Sequence, residues 1–538
     1  MFLARVLLIS LLAPPLSGGQ EPSPASQRDL GEIDFPVSGS PMARQHFIRG
    51  VLWLHSFEYP EARESFQKAQ EADPDMAMAY WGEAMTWNHP LWNRENREQA
   101  RQALQKLGAD GQERLAKAPT EREKDYLRAV EILFSEKEKT VRDQEYAEFM
   151  GRMRERYPED LEAASFYALA LLGTCHQGRH IPTYMRAAAV AEEVFLKNPR
   201  HPGALHYLIH SYDDPVHAPL GLRQARLYAD IAPSAAHALH MPSHIFLALG
   251  MWDDTEASNI DSYRAGEQRR QKRDLPLSER NYHALYWLHY SLLQQGRYGE
   301  AMSKLRLVEE DASKDEAAHI RRHQALMRAA QMVESRRFDE APPAAGTQGL
   351  NPSSLAAQFF ADGWAALRDG RLQRAQQIVQ EMNERRRQAE AGQRGDTAGY
   401  TRVGPPPTQE AQVMALQLQG LLALAREEAS QGLDLLHEAA AREAELPAGF
   451  GPPVPVKPSH ELLGEVLLER GRAAQAVEAF QQSLQRHPNR ALSLLGLMRA
   501  ASAAGDGEAA EKARRRLAEV WKDADDEVRP SQLTSGVG

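Results

Sequence analysis

Small and bulky apolar residues return along this chain in a fixed order. The segment Gly50 to Pro74, GVLWLHSFEYPEARESFQKAQEADP, sets Gly50, Tyr59, Ala62, Phe66, Ala69 and Pro74 among polar positions. The order recurs near the end as Gly464, Ala476, Phe480 and Pro488. Ala187, Ala301, Ala375 and Ala510 occupy the place of Ala62 in other units, and Gly296, Gly370, Gly471 and Gly505 occupy one turn position. Pro199 and Pro233 stand 34 residues apart, so two central units abut. Such a period predicts pairs of antiparallel helices stacked side by side. Small residues let the paired helices approach, and each proline ends one unit and starts the next. Ala, Leu, Glu, Gln and Arg dominate, which supports helix throughout.

These positions are those of the tetratricopeptide repeat family, which the chain resembles over most of residues 43–524. Units begin at about 43, 77, 168, 202, 236, 282, 356, 413, 457 and 491. The unit at 77 is irregular, with Asn96 where the alanine should stand, and so is the one at 413. The resemblance implies an all-α, right-handed solenoid of about ten helix-turn-helix units with irregular insertions. It also implies a concave groove lined by positions 2, 5, 9, 12 and 13 of each first helix, open to a peptide or protein partner. At 100° per residue, positions 5, 9 and 13 do form one stripe, turned away from the packed position 8.

The expected organisation places repeat units at 41–110, a helical insertion at 111–160, central units at 161–315 and further helical repeats at 316–389. C-terminal units follow at 409–525, after a Gly/Pro-rich linker at 390–408, and a disordered tail at 526–538. Thr120 and Glu123 form a capping box that opens a helix running to about Ser135. The stretch APPAAGTQGLNPSS, 341–354, is a second break, and PAGFGPPVPVKP a loop before the unit at 457.

The first residues, MFLARVLLISLLAPPLSGG, carry Arg5, a short apolar run and small residues at Ser17 and Gly19. They predict a secretory signal over 1–19, a linker over 20–40, and a periplasmic or secreted protein that keeps no membrane span after cleavage. With Cys175 as the sole cysteine, export brings no intramolecular disulfide. A formal net charge of −10, with both signs interspersed, argues against a nucleic-acid partner.

The chemistry concentrates in histidine. Seven of the 19 histidines fall between His201 and His244. In the repeat numbering His206 and His240 share position 5, while His176, His210 and His244 share position 9. His55, His89 and His180 share position 13, and His237 and His283 share position 2. The pairs His206/His210 and His240/His244 each put two rings on one helix face. Neighbouring helices run about 8–10 Å apart, so rings from both could converge on one metal. Four nitrogen ligands suit Zn or Cu, and imidazole also suits Fe and Ni. His176, His237 and His217 stand behind the two pairs as further ligands. Asp213 and Asp214 offer outer-shell partners, a carboxylate ligand, or the base of a catalytic metal site. Two other readings stay open: groove histidines that hydrogen-bond a peptide, and a duplication without a ligand.

Trp81, Trp87 and Trp92 with His89 could stack a ligand at the N-terminal end of the groove, or pack between repeats. Tyr286 and Tyr290 continue positions 5 and 9 in the unit after the histidine pairs, which bounds the polar site. Cys175 falls at position 8, a core position. Lys457, His460 and Glu461 read as a solvated helix start. No nucleotide-binding loop, serine elbow or HExxH motif occurs.

Overall fold

The computed structural model describes residues 29–340, 342–393 and 405–529. The expected signal at 1–19 lies outside them. So do part of the 20–40 linker, the middle of the 390–408 linker and the end of the tail. Among the described residues the chain is helical almost throughout, and its only strand pairing is the two-residue hairpin Asn88–His89 with Arg94–Glu95. No helix among them is long and apolar enough to cross a membrane.

The helices come in antiparallel pairs that stack in sequence order. Pro41–His55 pairs with Tyr59–Ala72, Pro202–Tyr212 with Ala218–Ile231, and Tyr282–Gln294 with Tyr298–Lys314. Near the end, Ser459–Glu469 pairs with Ala473–Arg486 and Ala491–Ala504 with Gly507–Val520. Gly296, Gly370, Gly471 and Gly505 all adopt positive φ, between 69° and 80°, at the turn inside a pair. That conformation is one only glycine takes without a Cβ penalty.

The repeat signature is also the packing unit. The buried Phe66 ring lies between Gly50 of its own unit and Gly82 of the next; a Cβ on Gly82 would sit 2.3 Å from the ring. Phe480 is held the same way between Gly464 and Gly496, at 3.0 and 2.2 Å. We expect Gly82→Ala to destabilise the chain by about 1–3 kcal/mol through overpacking, although alanine alone would favour helix by about 1 kcal/mol. Urea unfolding of the variant checks this; a gain in stability would show that the ring is free to move.

The region 111–160 is less an insertion than part of the stack. Helices Glu121–Leu133 and Lys139–Arg156 form another pair, packed on Ala77–Met85 and Leu161–Gly173. The Thr120 capping box is present as read, with Thr120 Oγ1 accepting from Glu123 N at 3.2 Å. The next pair departs from the expected spacing. Asp160 caps a helix that starts at Leu161 and ends at Gly173, because its carboxylate accepts from the Glu162 and Ala163 amides. His176 and His180 therefore fall in the following turn or at its end, not on a first helix facing the groove, and Cys175 is half-buried in that turn. Helix Pro407–Ala425 begins inside the expected linker, and helix Leu372–Gln393 runs into it from the other side.

The stack curls until distant units touch. Asn489 accepts from Trp252 Nε1 through its carbonyl at 2.9 Å, and Trp521 Nε1 donates to the Gln294 carbonyl at 3.0 Å. Arg269 pairs with Glu61 of the first unit. The inner face encloses a cavity of about 1660 Å³. First helices of the central units form one wall; the loops at Pro405–Pro407 and Ala448–Val454 form the other.

Candidate metal centre in the groove

Four short segments deliver the histidines. His201 starts the first: its ring Nδ1 accepts from Ala204 N at 3.2 Å, Pro202 occupies the first turn, and helix Pro202–Tyr212 follows. His206 and His210 then share one face. The second and third segments are the halves of a broken helix, Ala236–His240 and Pro242–Ala248. Pro242 removes a backbone donor, yet Met241 keeps helical angles (φ −55°, ψ −37°). The break leaves His240 and His244 facing each other instead of rotating them apart. The fourth is helix Tyr282–Gln294, capped by Asn281, which carries His283 in its first turn.

The ring nitrogens converge in two groups, His206 with His210 and His237, and His240 with His244 and His283. Within each, one nitrogen per ring lies within 4.8 Å of the others. In the first group His206 Nε2 is 3.1 Å from His210 Nε2 and 3.2 Å from His237 Nε2. In the second, His240 Nε2 is 3.1 Å from His244 Nε2. His210 also groups with His244 and Asp213, so the two sets adjoin.

Outer partners fix the tautomers. His206 Nδ1 donates to the His55 carbonyl at 2.6 Å. His240 Nδ1 donates to Asn259 Oδ1 at 2.7 Å; Asn259 is held in that orientation because its Nδ2 donates to the Thr255 carbonyl, also at 2.7 Å. His244 Nδ1 donates to the buried Asp213 carboxylate at 2.5 Å. These three rings thus spend their proton outward and turn an Nε2 lone pair inward, an arrangement typical of metal-binding histidine.

Charge reinforces it. Burial lowers the His206 pKa to about 3, with a minor contribution from the neighbouring imidazoles. Burial and mutual repulsion hold His210, His237 and His240 well below the ordinary histidine value. His283 is lowered as well, first by desolvation and then by the neighbouring His240 and His244 imidazoles. Neutral imidazoles are the form that ligates a metal. Aromatic rings shape the surroundings: Phe57 lies 4.2 Å from His206 and Trp287 4.5 Å from His244, centroid to centroid.

The remaining expected residues lie elsewhere. His176 sits apart from the cluster, with Nδ1 2.5 Å from Asn93 Nδ2 and Nε2 3.3 Å from the Asp143 carboxylate. His217 pairs with Asp214 at 2.8 Å, and Asp214 also accepts from Arg179, so both are committed to the turn before helix Ala218–Ile231. Asp213 orients His244. Trp81 is core, packed on Phe35, Phe47, Tyr126 and Phe166 and away from the cavity. His89 stacks on Tyr59 with centroids 3.8 Å apart. Tyr286 and Tyr290 both line the cavity; Tyr290 Oη accepts from Arg490, and Tyr286 Oη has no hydrogen-bond partner among the described residues.

Two features escaped the sequence reading. His283 completes the second group, and its signal was its shared repeat position with His237. A further buried trio, His55, Glu162 and His201, resembles a site but is already satisfied: Glu162 accepts from His55 Nε2 at 2.7 Å and His201 Nε2 at 3.0 Å. His55 Nδ1 accepts from Tyr207 Oη at 2.8 Å, and His201 Nδ1 is the helix cap. Burial alone would raise the Glu162 pKa, and the two imidazoles outweigh it and hold it near 2. With every ring nitrogen and both carboxylate oxygens engaged, this trio braces the helices beneath the open cluster.

No curated protein matches the chain in sequence. Among solved structures, the Cut9–Hcn1 hetero-tetramer of the APC/C is similar at 10% identity, covering 92% of this chain and 76% of that one, with a TM-score of 0.33. A monomeric mutant of IFIT1 with Gppp-AAAA is similar at 14% identity, covering 89% and 99%, with a TM-score of 0.36. Yeast Tom70 follows at 11% identity, covering 89% and 91%, with a TM-score of 0.31. The tetratricopeptide repeat family matches residues 467–532. With the glycine turns and the ring-between-glycines packing repeated at both ends, the chain is an all-α solenoid of tetratricopeptide type.

Proposed function

We propose that the chain is a metal-binding solenoid whose groove histidines hold a transition metal, Cu, Zn or Fe. One observation carries the reading. His240 and His244 both donate outward through Nδ1, yet their Nε2 atoms lie 3.1 Å apart. Two lone pairs at that distance repel. A cation relieves the conflict. Bonds of about 2.0–2.1 Å at angles of roughly 90–110° set two ligand nitrogens roughly 2.9–3.4 Å apart, which matches this spacing and those around His206.

Metal analysis by mass spectrometry tests it. Full-length chain, chelated and then supplied with Cu(II) or Zn(II), is expected to retain at least one equivalent after desalting. The His206→Ala/His240→Ala double variant should lose it. Substoichiometric metal in the wild type rejects the reading. Export is part of the proposal, on the strength of the first 19 residues alone, and would place loading in the cell envelope.

A second reading rests on the size of the cavity. About 1660 Å³ exceeds the roughly 300–1,000 Å³ of small-molecule sites and suits a peptide segment. In that case partner binding would survive chelation.

A further inference from the structure

We infer that the six imidazoles make two distinct metal sites of three histidines each, side by side on one wall of the cavity. This rests on the metal reading above and sharpens it from a single shared centre to a pair. His206, His210 and His237 form the first site; His240, His244 and His283 form the second.

Three arguments separate them. The shortest nitrogen–nitrogen approaches, 3.1–3.2 Å, all fall within a group: two on His206 in the first, and the His240–His244 contact in the second. Each group has a central ring: His206 stands 4.9 and 5.0 Å from His210 and His237 by centroid, and His240 4.9 and 4.5 Å from His244 and His283, while the outer rings of each group are 6.5 Å apart. Across the divide His210–His244 is 5.5 Å and His237–His240 6.1 Å, and neither contact joins the two central rings. Each group also has its own outer anchors, the His55 carbonyl for the first and Asn259 with Asp213 for the second. One ion at the centre of all six rings would have to break these pairings.

The donor set names the class of ion. Three imidazoles and no carboxylate in either group suit copper or zinc over Mg or Ca, which prefer oxygen. Three protein ligands leave at least one position on each ion for an outside ligand. His210, His237, His240, His244 and His283 all border the same cavity, so the outside ligand of one ion lies beside that of the other. The pair therefore fits a small anion, or a substrate group with an oxygen donor, held between two adjacent ions.

The rival is one ion held by His210, His244 and Asp213, which also converge. Asp213 argues against it: the short bond to His244 Nδ1 makes its carboxylate an orienting group for that ring. Stoichiometry decides. Full-length chelated protein is titrated with Cu(II), and in parallel with Zn(II), at pH 7.5, desalted, and metal per chain measured. Two equivalents are expected in the wild type and one each in His283→Ala and His237→Ala. Asp213→Asn should weaken the second equivalent by roughly 10–100-fold and spare the first. One equivalent in the wild type overturns the pair while leaving the metal reading intact; none sinks the metal reading itself. Two equivalents retained in both single variants also overturn the assignment. His283 presents its ring to the cavity, so its loss should not disturb the core, and near-UV circular dichroism checks that. Should a variant fail to fold, the wild-type count alone decides.

Discussion

Replacing Arg490 with methionine is expected to cost about 3–5 kcal/mol of stability. The sequence reading took Lys457, His460 and Glu461 for a solvated helix start. The fold instead buries Lys457 and Glu461 completely, with Arg490 between Glu461 and Glu334. The guanidinium donates through Nε and Nη2 to Glu461 at 2.8 and 3.0 Å, through Nη2 to Glu334, and through Nη1 to Tyr290 Oη at 2.7 Å. Arg490 is held charged far above its ordinary value, since the two carboxylates outweigh the effect of burial. Burial raises the Glu334 pKa, while Arg490 and Lys457 together overcome burial and drive Glu461 well down. Arg490→Met leaves two carboxylates in the interior with only Lys457 to answer them. Denaturant unfolding should show the loss, and adding Glu334→Gln should recover part of it by removing one stranded charge. A change under about 1 kcal/mol would mean that water reaches the network.

Acid should weaken the metal-free protein well above the range in which carboxylates titrate. His206 and His289 are fully buried, and burial lowers both to about 3. Unfolded, each would titrate near 6.5, so between the two values the unfolded chain binds more protons than the folded one. Stability from such a group is complete above pH 6.5 and falls as the pH drops, by about 2 kcal/mol each between pH 7 and 5. Glu58 works in the opposite sense: burial raises it to about 7, so it gains a proton in the folded state and offsets about 2 kcal/mol over the same interval. His210, His237 and His240 add to the loss. The net expectation is a decrease of at least about 2 kcal/mol from pH 7 to 5, read by urea unfolding in the presence of chelator. A flat profile would contradict it. His289→Gln should shrink the pH dependence by about 2 kcal/mol, since His289 lies outside the cluster.

The repeat made much of this visible beforehand. A 34-residue period with small residues at fixed places dictates paired helices, and the groove positions of His206, His210, His240 and His244 follow from it. The period misled where a local signal was stronger. Asp160 starts its helix seven residues ahead of the expected unit, which drops His176 into a turn and removes it from the cluster. What could not be read were encounters between distant units. Glu162 looks like a helix-surface glutamate until the curl of the stack sets it between His55 and His201. Arg490 looks like a solvent-facing cap residue until the C-terminal units close on Glu334 and Tyr290. Such contacts depend on the accumulated rotation from unit to unit, and no short stretch of sequence encodes that rotation.

Phe450 gives the site a direction in time. Its ring lies 6.4 Å from His210 and 6.2 Å from His244 by centroid, carried there by the loop before helix Ser459–Glu469. A chain that emerges N-terminus first presents His206 through His283 long before residue 450 has left the ribosome or a translocation pore. The six histidines can therefore assemble, and would bind the proposed ion, while that side of the groove is still unwalled. Once the last units dock, the Phe450 loop borders the histidines, and an ion held there as proposed would exchange beside it. A metal acquired during synthesis or export would then leave the finished protein more slowly than it arrived, and the metal found in a purified sample would record the compartment in which the chain folded.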